Sequence, residues 1–444
     1  MPFSSLAKSA LRFPLAASAF GVTQLARLLS AGNPETSRAA NSDFYASAAA
    51  AQAQFDTNSL LFAAYQLGDQ AQQAFAGLTL DALTLQLLKP GYLKEAGSAI
   101  AKGSADAWGS VATSEARQLT VDQIQNNFTV VNLVNSVDAP AVLSGDGDYP
   151  LDEMLENAYA LGEYPALWSV EGLGQKYADA YLASGREVRG LFTTGKGAKL
   201  PEKSLLMMHA GAGIAFAKRI LGLLTPWSSD AEFREALTFF LALVEQNSRP
   251  GYKGPALESL GLVTRTWHNR LTEPLARNLA LIDAGAAEYF WHGAGRAMYF
   301  SPLNFVPGFS PFFTAEQEPP DEIARRNARA GVAWAFTVVN IRQPEITADF
   351  LKHKSSEIAG NAAYSNGVLS TLIMAGEMVP QDVYVAGFCS WKPDPADRPL
   401  VNLWNENIGV DCADRVANCR RTLKAQGKLG EIFRYHDSEE LMAM

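Results

Sequence analysis

The sequence is poor in the residues that announce chemistry most openly. It has three cysteines and five histidines in 444 residues. Three thiols, Cys389, Cys412 and Cys419, all near one end, are too few and too uneven to make a disulfide framework, and they suit a reducing compartment. No CxxC or CxxCH occurs, which leaves zinc-ribbon and c-type haem readings without a motif. Cys412 and Cys419 are seven apart and share a helical face, so they read either as a redox or soft-metal pair or, more simply, as two buried thiols. Basic charge is also in short supply. With 37 Lys and Arg against 46 Asp and Glu, the net charge of -9 argues against a nucleic-acid partner, which needs clustered cations. Long apolar runs are missing too, so nothing reaches the roughly 20 residues of a transmembrane helix. No phosphate-binding loop, nucleophile elbow, dinucleotide fingerprint or kinase set is present.

What remains is 48% hydrophobic and 19% charged, the composition of a globular chain able to bury a large core. Residues 1–34 carry Lys8, Arg12 and Arg27 with no acidic residue, around "FPLAASAFGVTQLARLL". This is a basic amphipathic segment that lies on a membrane, docks on a partner or packs on its own domain; a secretory signal would need a longer unbroken apolar core. Residues 35–150 form a helical N-terminal region rich in Ala, Gln and Leu. Within it "FTVVNLV" (128–134) is the best strand candidate. "LSGDGDYPLDE" then reads as a loop whose Asp146, Asp148, Asp152 and Glu153 supply either oxygen ligands for calcium or a solvated turn into a helix with an acidic first turn.

Glycines organise the next part, residues 155–400. Gly174, Gly213, Gly261, Gly295, Gly331 and Gly367 recur in similar contexts, 39, 48, 34, 36 and 36 residues apart. A period near 40 in helix-forming sequence is the signature of stacked helix pairs. Glycine inside a helix costs about 1 kcal/mol relative to alanine, so a sixfold repetition implies a packing reason common to all units. The fold expected is mostly α: a helical-hairpin repeat of about six pairs, as an α/α toroid or an open solenoid, with a helical N-terminal extension and a helical tail over 401–444.

Chemistry is expected beside the glycines. Glu171 and His292 stand directly before a G-x-G, and His209 lies one residue earlier than the equivalent position. Two imidazoles and a carboxylate form the ligand set of non-haem iron and of several zinc and copper sites, making His209, His292 and Glu171 candidate metal ligands. Gly211, Gly213, Gly293 and Gly295 leave room for a flat macrocycle such as haem, with His209 or His292 axial. A metal-free pocket is the other reading, with His292 or His209 as general acid or base, Glu171 orienting it and Arg296 holding an anion. Arg265, His268 and Arg270 form a carboxylate or phosphate clamp or, more simply, a solvated basic face. The aromatic run Phe290, Trp291, Tyr299, Phe300, Phe305, Phe309, Phe312 and Phe313 reads as core before substrate tunnel, and His353 and His436 as surface residues.

The segments "WSVEGLGQKYADAYL", "MHAGAGIAFAKRIL", "WHGAGRAMYF" and "ARAGVAWAFTVVN" resemble the bacterial family called domain of unknown function 1702, often encoded beside polyketide and enediyne biosynthesis genes. The likeness covers roughly residues 160–380. It implies a bacterial protein working near specialised or lipid-like metabolite synthesis and carries no catalytic residues with it. The function expected is an enzyme acting on a hydrophobic small molecule in a helix-lined pocket, its cofactor unknown, with iron, copper or haem the candidates. It would be cytoplasmic, with peripheral membrane contact through residues 1–34, and open to homo-oligomer formation. The alternative is a non-enzymatic helical scaffold that binds a protein partner or a membrane surface.

Overall fold

The computed structural model describes residues 115–444, except 141–142, 144–148, 186, 302–309, 359–361 and 381–382. The readings made on residues 1–34, on most of 35–150 and on Asp146, Asp148, Phe305 and Phe309 lie outside the described residues. Internal contacts divide the chain into two units, and the larger, residues 129–299 with 315–444, contains the elements discussed below apart from residues 115–128 and 311–314.

Among the described residues the structure is helical, without strands. The stretch "FTVVNLV" belongs to a helix, α1 (Glu115–Val134). Its β-branched residues disfavour a helix only by tenths of a kcal/mol each, which the surrounding Gln, Leu and Ala outweigh. Asp152 and Glu153 fall in the first turn of α2 (Leu151–Ala160), where they complement the positive end of the helix dipole.

Six long helices carry the register glycines: α3 (Glu163–Ala183), α4 (Leu205–Leu221), α6 (Lys253–Trp267), α8 (Ala284–Tyr299), α10 (Glu322–Asn340) and α12 (Ala363–Met378). Each packs along the next in chain order, and α12 returns to touch α3. The Tyr164 hydroxyl of α3 donates to the carbonyl of Val339 in α10 at 2.9 Å, which ties the beginning of the series to its far side. These helices are buried around most of their circumference; in α4 every residue from Leu205 to Ala217 is buried. Between them run helices with a single apolar face. In α5 (Asp230–Asn247) the buried set is Phe233, Ala236, Leu237, Phe240, Leu243, Val244 and Asn247, the three-and-four spacing of an outer-layer helix. α7 (Thr272–Ile282) and α11 (Pro344–Lys354) play the same part, and a short helix, α9 (Pro311–Gln317), comes before α10 in the chain. The architecture is the all-α helical repeat expected, with the outer element a full helix in these three places. Between α3 and α4 it is an irregular segment with two short 3-10 turns.

Local sequence sets these boundaries. Ser229 and Glu232 form a reciprocal capping box at the start of α5. The Asp321 carboxylate caps α10 by accepting from Ala324 N–H at 2.9 Å. Pro344 opens α11, where its missing N–H is not needed.

The glycines explain how the inner helices pack. A Cβ on Gly293 of α8 would overlap the carbonyl oxygen of Glu258 in α6, and one on Gly261 of α6 would overlap that of Phe290 in α8. The α8/α10 interface repeats the device, with Gly295 against Ala328 O and Gly331 against His292 O. At two other interfaces a hydroxyl replaces the second glycine. Ser259 donates to Ala210 O at 2.8 Å between α6 and α4, and Thr371 to Trp334 O at 3.0 Å between α12 and α10. Gly174, Gly213, Gly261 and Gly295 face the next helix in the series, whereas Gly331 and Gly367 face the preceding one. The uneven glycine spacing reflects two interlocking contacts rather than a single one.

The tail is integral to this unit. α15 (Cys412–Ala425) packs on α12, Gly430 N–H donates to Gly251 O at 2.8 Å, and Tyr435 N–H donates to the Asn327 side chain at 2.7 Å. His436 is buried against Glu431 and Glu440, not exposed as its charged surroundings suggested, while His353 is exposed beside Asp349. Among the described residues no helix is long and apolar enough to cross a membrane.

Candidate functional site

Three of the four side chains singled out in the sequence meet in the interior. Arg296 of α8 donates through one terminal nitrogen to Glu258 Oε2 at 2.9 Å and through the other to Glu171 Oε1 at 3.2 Å. His292, one turn earlier on α8, holds Glu258 Oε1 through its Nδ1 at 3.1 Å. The guanidinium lies 4.3 Å from the ring centre of Trp334 on α10, a cation-π contact. Four helices of the inner layer, α3, α6, α8 and α10, thus converge on one charged cluster, with His292 and Glu258 wholly buried and Glu171 and Arg296 almost so.

Burial and charge decide the protonation states. Burial lowers the His292 pKa, and the nearby Arg296 adds to this against the stabilising hydrogen bond to Glu258, so the ring is neutral. Its Nδ1–H is then the donor to Glu258, and Nε2 carries a lone pair. Burial raises the Glu171 pKa, with Glu258 adding and Arg296 opposing. For Arg296 burial works against the charge, but Glu258 and Glu171 more than compensate and raise its pKa.

Three polar atoms of the cluster are buried without a hydrogen-bond partner: His292 Nε2, Arg296 Nε and Trp334 Nε1. His292 and Arg296 stand one helical turn apart on α8; the histidine nitrogen is an acceptor, and the arginine and tryptophan nitrogens are donors. A buried polar atom left unpaired costs on the order of 1–3 kcal/mol, so each of these atoms would be stabilised by a ligand group or water of matching character.

His209 does not join them. Its Nδ1–H donates to Leu205 O at 2.7 Å and its Nε2 accepts the backbone N–H of Arg249 at 3.1 Å, which uses both ring nitrogens. The ring stacks on Tyr252 and packs at a tilt against Phe192, and burial lowers its pKa to about 3. The Arg249 side chain then bonds Phe192 O and Gly197 O, each at 2.8 Å, so His209 fixes the irregular segment that follows α3. The ligand set of His209, His292 and Glu171 is not assembled, and no group of three or more His, Cys, Asp or Glu side chains among the described residues is arranged to hold a metal ion. The macrocycle reading loses its space as well. The room beside Gly211, Gly213, Gly293 and Gly295 is filled by the backbones of neighbouring helices.

Glu258 is the member that sequence reading missed. It precedes Ser-Leu-Gly261 as Glu171 precedes Gly-Leu-Gly174 and His292 precedes Gly-Ala-Gly295, so the register carried the signal and the serine concealed it. Trp334 lies three residues after Gly331, on the other side of its glycine, so the register gave no signal for it. Arg265 is buried and gripped by Glu318 through two 2.9 Å contacts, a bidentate pair and not a solvated face. Phe290, Trp291 and Tyr299 are core residues.

Comparison with known proteins returns no family model, no curated protein and no solved structure that matches the chain.

Proposed function

We propose that the protein is an acid/base enzyme of bacterial specialised or lipid-like metabolism, acting on a largely apolar small molecule whose polar head engages the His292 cluster. One observation carries the reading: the His292 ring is held by Glu258 in the tautomer that leaves Nε2 free, and that nitrogen is buried without a partner. In this role His292 takes a proton from the substrate head. Glu258 orients the ring and stabilises the imidazolium that forms, as a carboxylate behind a catalytic histidine does. Arg296 Nε–H donates to the oxygen on which negative charge develops. Glu171 fixes Arg296 from the opposite side and, with its raised pKa, is a second place where the proton can reside. The buried, mostly apolar surroundings suit a hydrophobic substrate, and the metabolic setting proposed is the one that a resemblance to domain of unknown function 1702 implies. A cytoplasmic enzyme meeting the membrane surface through residues 1–34 fits this substrate class.

A helical scaffold is the second reading, favoured by the near-complete burial of all four side chains. A binding screen separates the two, using native mass spectrometry and tryptophan fluorescence with medium- and long-chain acyl compounds bearing carboxyl, hydroxyl or thioester heads. The enzyme reading expects a ligand whose affinity falls about tenfold or more in H292Q, the loss of one buried hydrogen bond. Equal affinity in the variant, or no ligand among the panel, leaves the cluster as an internal ionic lock in a scaffold.

A further inference from the structure

The thiols pair differently from the sequence expectation. Cys412 and Cys419 both lie on α15, and seven residues of helix rise about 10 Å, too far for a disulfide, whose Cα atoms stand at most about 7 Å apart. The sulfur facing Cys412 belongs instead to Cys389, on α13 (Val383–Ser390), with the two Sγ atoms 3.1 Å apart and sharing a hydrogen bond. Both residues are buried with a trace of exposure, 6% for Cys389 and 3% for Cys412. Cys419 is buried at 1% and stands apart as a free thiol.

The two sulfurs are not equivalent. Cys412 is the first residue of a 14-residue helix, where unpaired backbone N–H groups favour a thiolate. Its pKa is lowered, by the Cys389 hydrogen bond first and then, against burial, by Arg415 and Lys392. The Cys389 thiol is pushed up by the same hydrogen bond and by burial. One sulfur is poised to attack, and the other keeps its proton beside it.

We propose that Cys412 and Cys389 form a redox-active dithiol, in which Cys412 is the attacking and Cys389 the resolving thiol, oxidised to a disulfide by small-molecule disulfides. In the first step the Cys412 thiolate attacks one sulfur of the oxidant RSSR, forming a mixed disulfide on Cys412 and releasing RS⁻. In the second, Cys389 gives its proton to the departing thiolate and attacks Cys412 Sγ, releasing the other half as RSH. The protein loses two electrons, and RSSR is reduced to two thiols. The new bond would join α13 to α15 across the segment holding α14 (Arg398–Asn407), whose Trp404 packs on Phe388 and on Trp391. The state of the dithiol would therefore be felt at the aromatic contacts that seat α14.

The test treats the full chain, reduced and native, with 2-hydroxyethyl disulfide. Remaining thiols are then alkylated under denaturing conditions and mapped by peptide mass spectrometry. The expected result is loss of two thiols per chain, a Cys389–Cys412 linked peptide, Cys419 fully alkylated, and a rise in Tm of about 3 °C from closing the loop. C389S should stop at a mixed disulfide on Cys412, and C412S should not react. Three alkylated thiols in the treated wild type, a linkage through Cys419, or a mixed disulfide that forms on Cys389 in preference to Cys412 would each overturn the proposal. The wild-type map decides the pairing even if either variant fails to fold.

Discussion

At the scale of single residues, the interior is held by groups that are costly alone. Arg296 is tolerated in the core because Glu258, Glu171 and the face of Trp334 surround it. Removing it leaves two carboxylates facing each other, and breaking a buried pair from one side costs about 3–5 kcal/mol. R296M is expected to lose that much in urea unfolding, and a loss below about 1 kcal/mol would mean that solvent reaches the cluster. His209 gives a pH dependence of known sign. Its pKa falls from an ordinary value near 6.5 to about 3 in the fold, so below pH 6.5 the unfolded chain binds a proton that the folded chain refuses. Stability therefore falls as pH drops through that window, by up to about 1.4 kcal/mol per pH unit from this ring alone. Unfolding curves at pH 7, 6 and 5 should show a shallower decline in H209Q; parallel declines would contradict the assignment. These roles were only half legible in the sequence. A histidine beside a G-x-G looks the same whether its ring reaches a carboxylate two helices away in sequence, as His292 does, or a carbonyl one turn back, as His209 does. Which of the two occurs depends on the direction of the side chain, and that is fixed by packing.

At the scale of elements, the repeat was readable because glycine has a penalty in helices and nothing to offset it except close packing. The sequence period located all six inner helices, and Gly331 showed where the simple alignment fails: it meets the preceding helix through His292 O, as Gly293 meets Glu258 O. Outer elements were harder to read, since the segment between α3 and α4 is held by His209, Arg249 and backbone carbonyls, not by an apolar stripe. The strand expected at 128–134 failed because a short β-branched run is ambiguous when its neighbours favour helix. The packing account makes a paired prediction. G293A places a methyl on Glu258 O and should destabilise the protein by several kcal/mol, or prevent folding, because backbone must move. G387A, in α13 with open space around it, should be neutral or gain up to about 1 kcal/mol from helix propensity. Equal effects of the two on thermal unfolding would show that the helices are free to spread.

At the scale of the whole molecule, the larger unit is a layer of buried helices, closed by the return of α12 to α3 and backed by amphipathic helices and the tail. The tail was expected as a separate segment from residue 401; its contacts to Gly251, Asn327 and Asn366 make it part of the repeat unit, and no composition change marks that. Closure of the series has a consequence for synthesis. Tyr164 waits for Val339, 175 residues later, and Glu171 waits 125 residues for Arg296. At translation rates of about 5–20 residues per second, the first interval lasts roughly 9–35 s. Throughout that time α3 has emerged with a carboxylate that lacks its cation and an apolar face that lacks its cover. A nascent chain of this design depends on whatever shields that helix on the ribosome, and slow codons placed before residue 340 would lengthen the exposure.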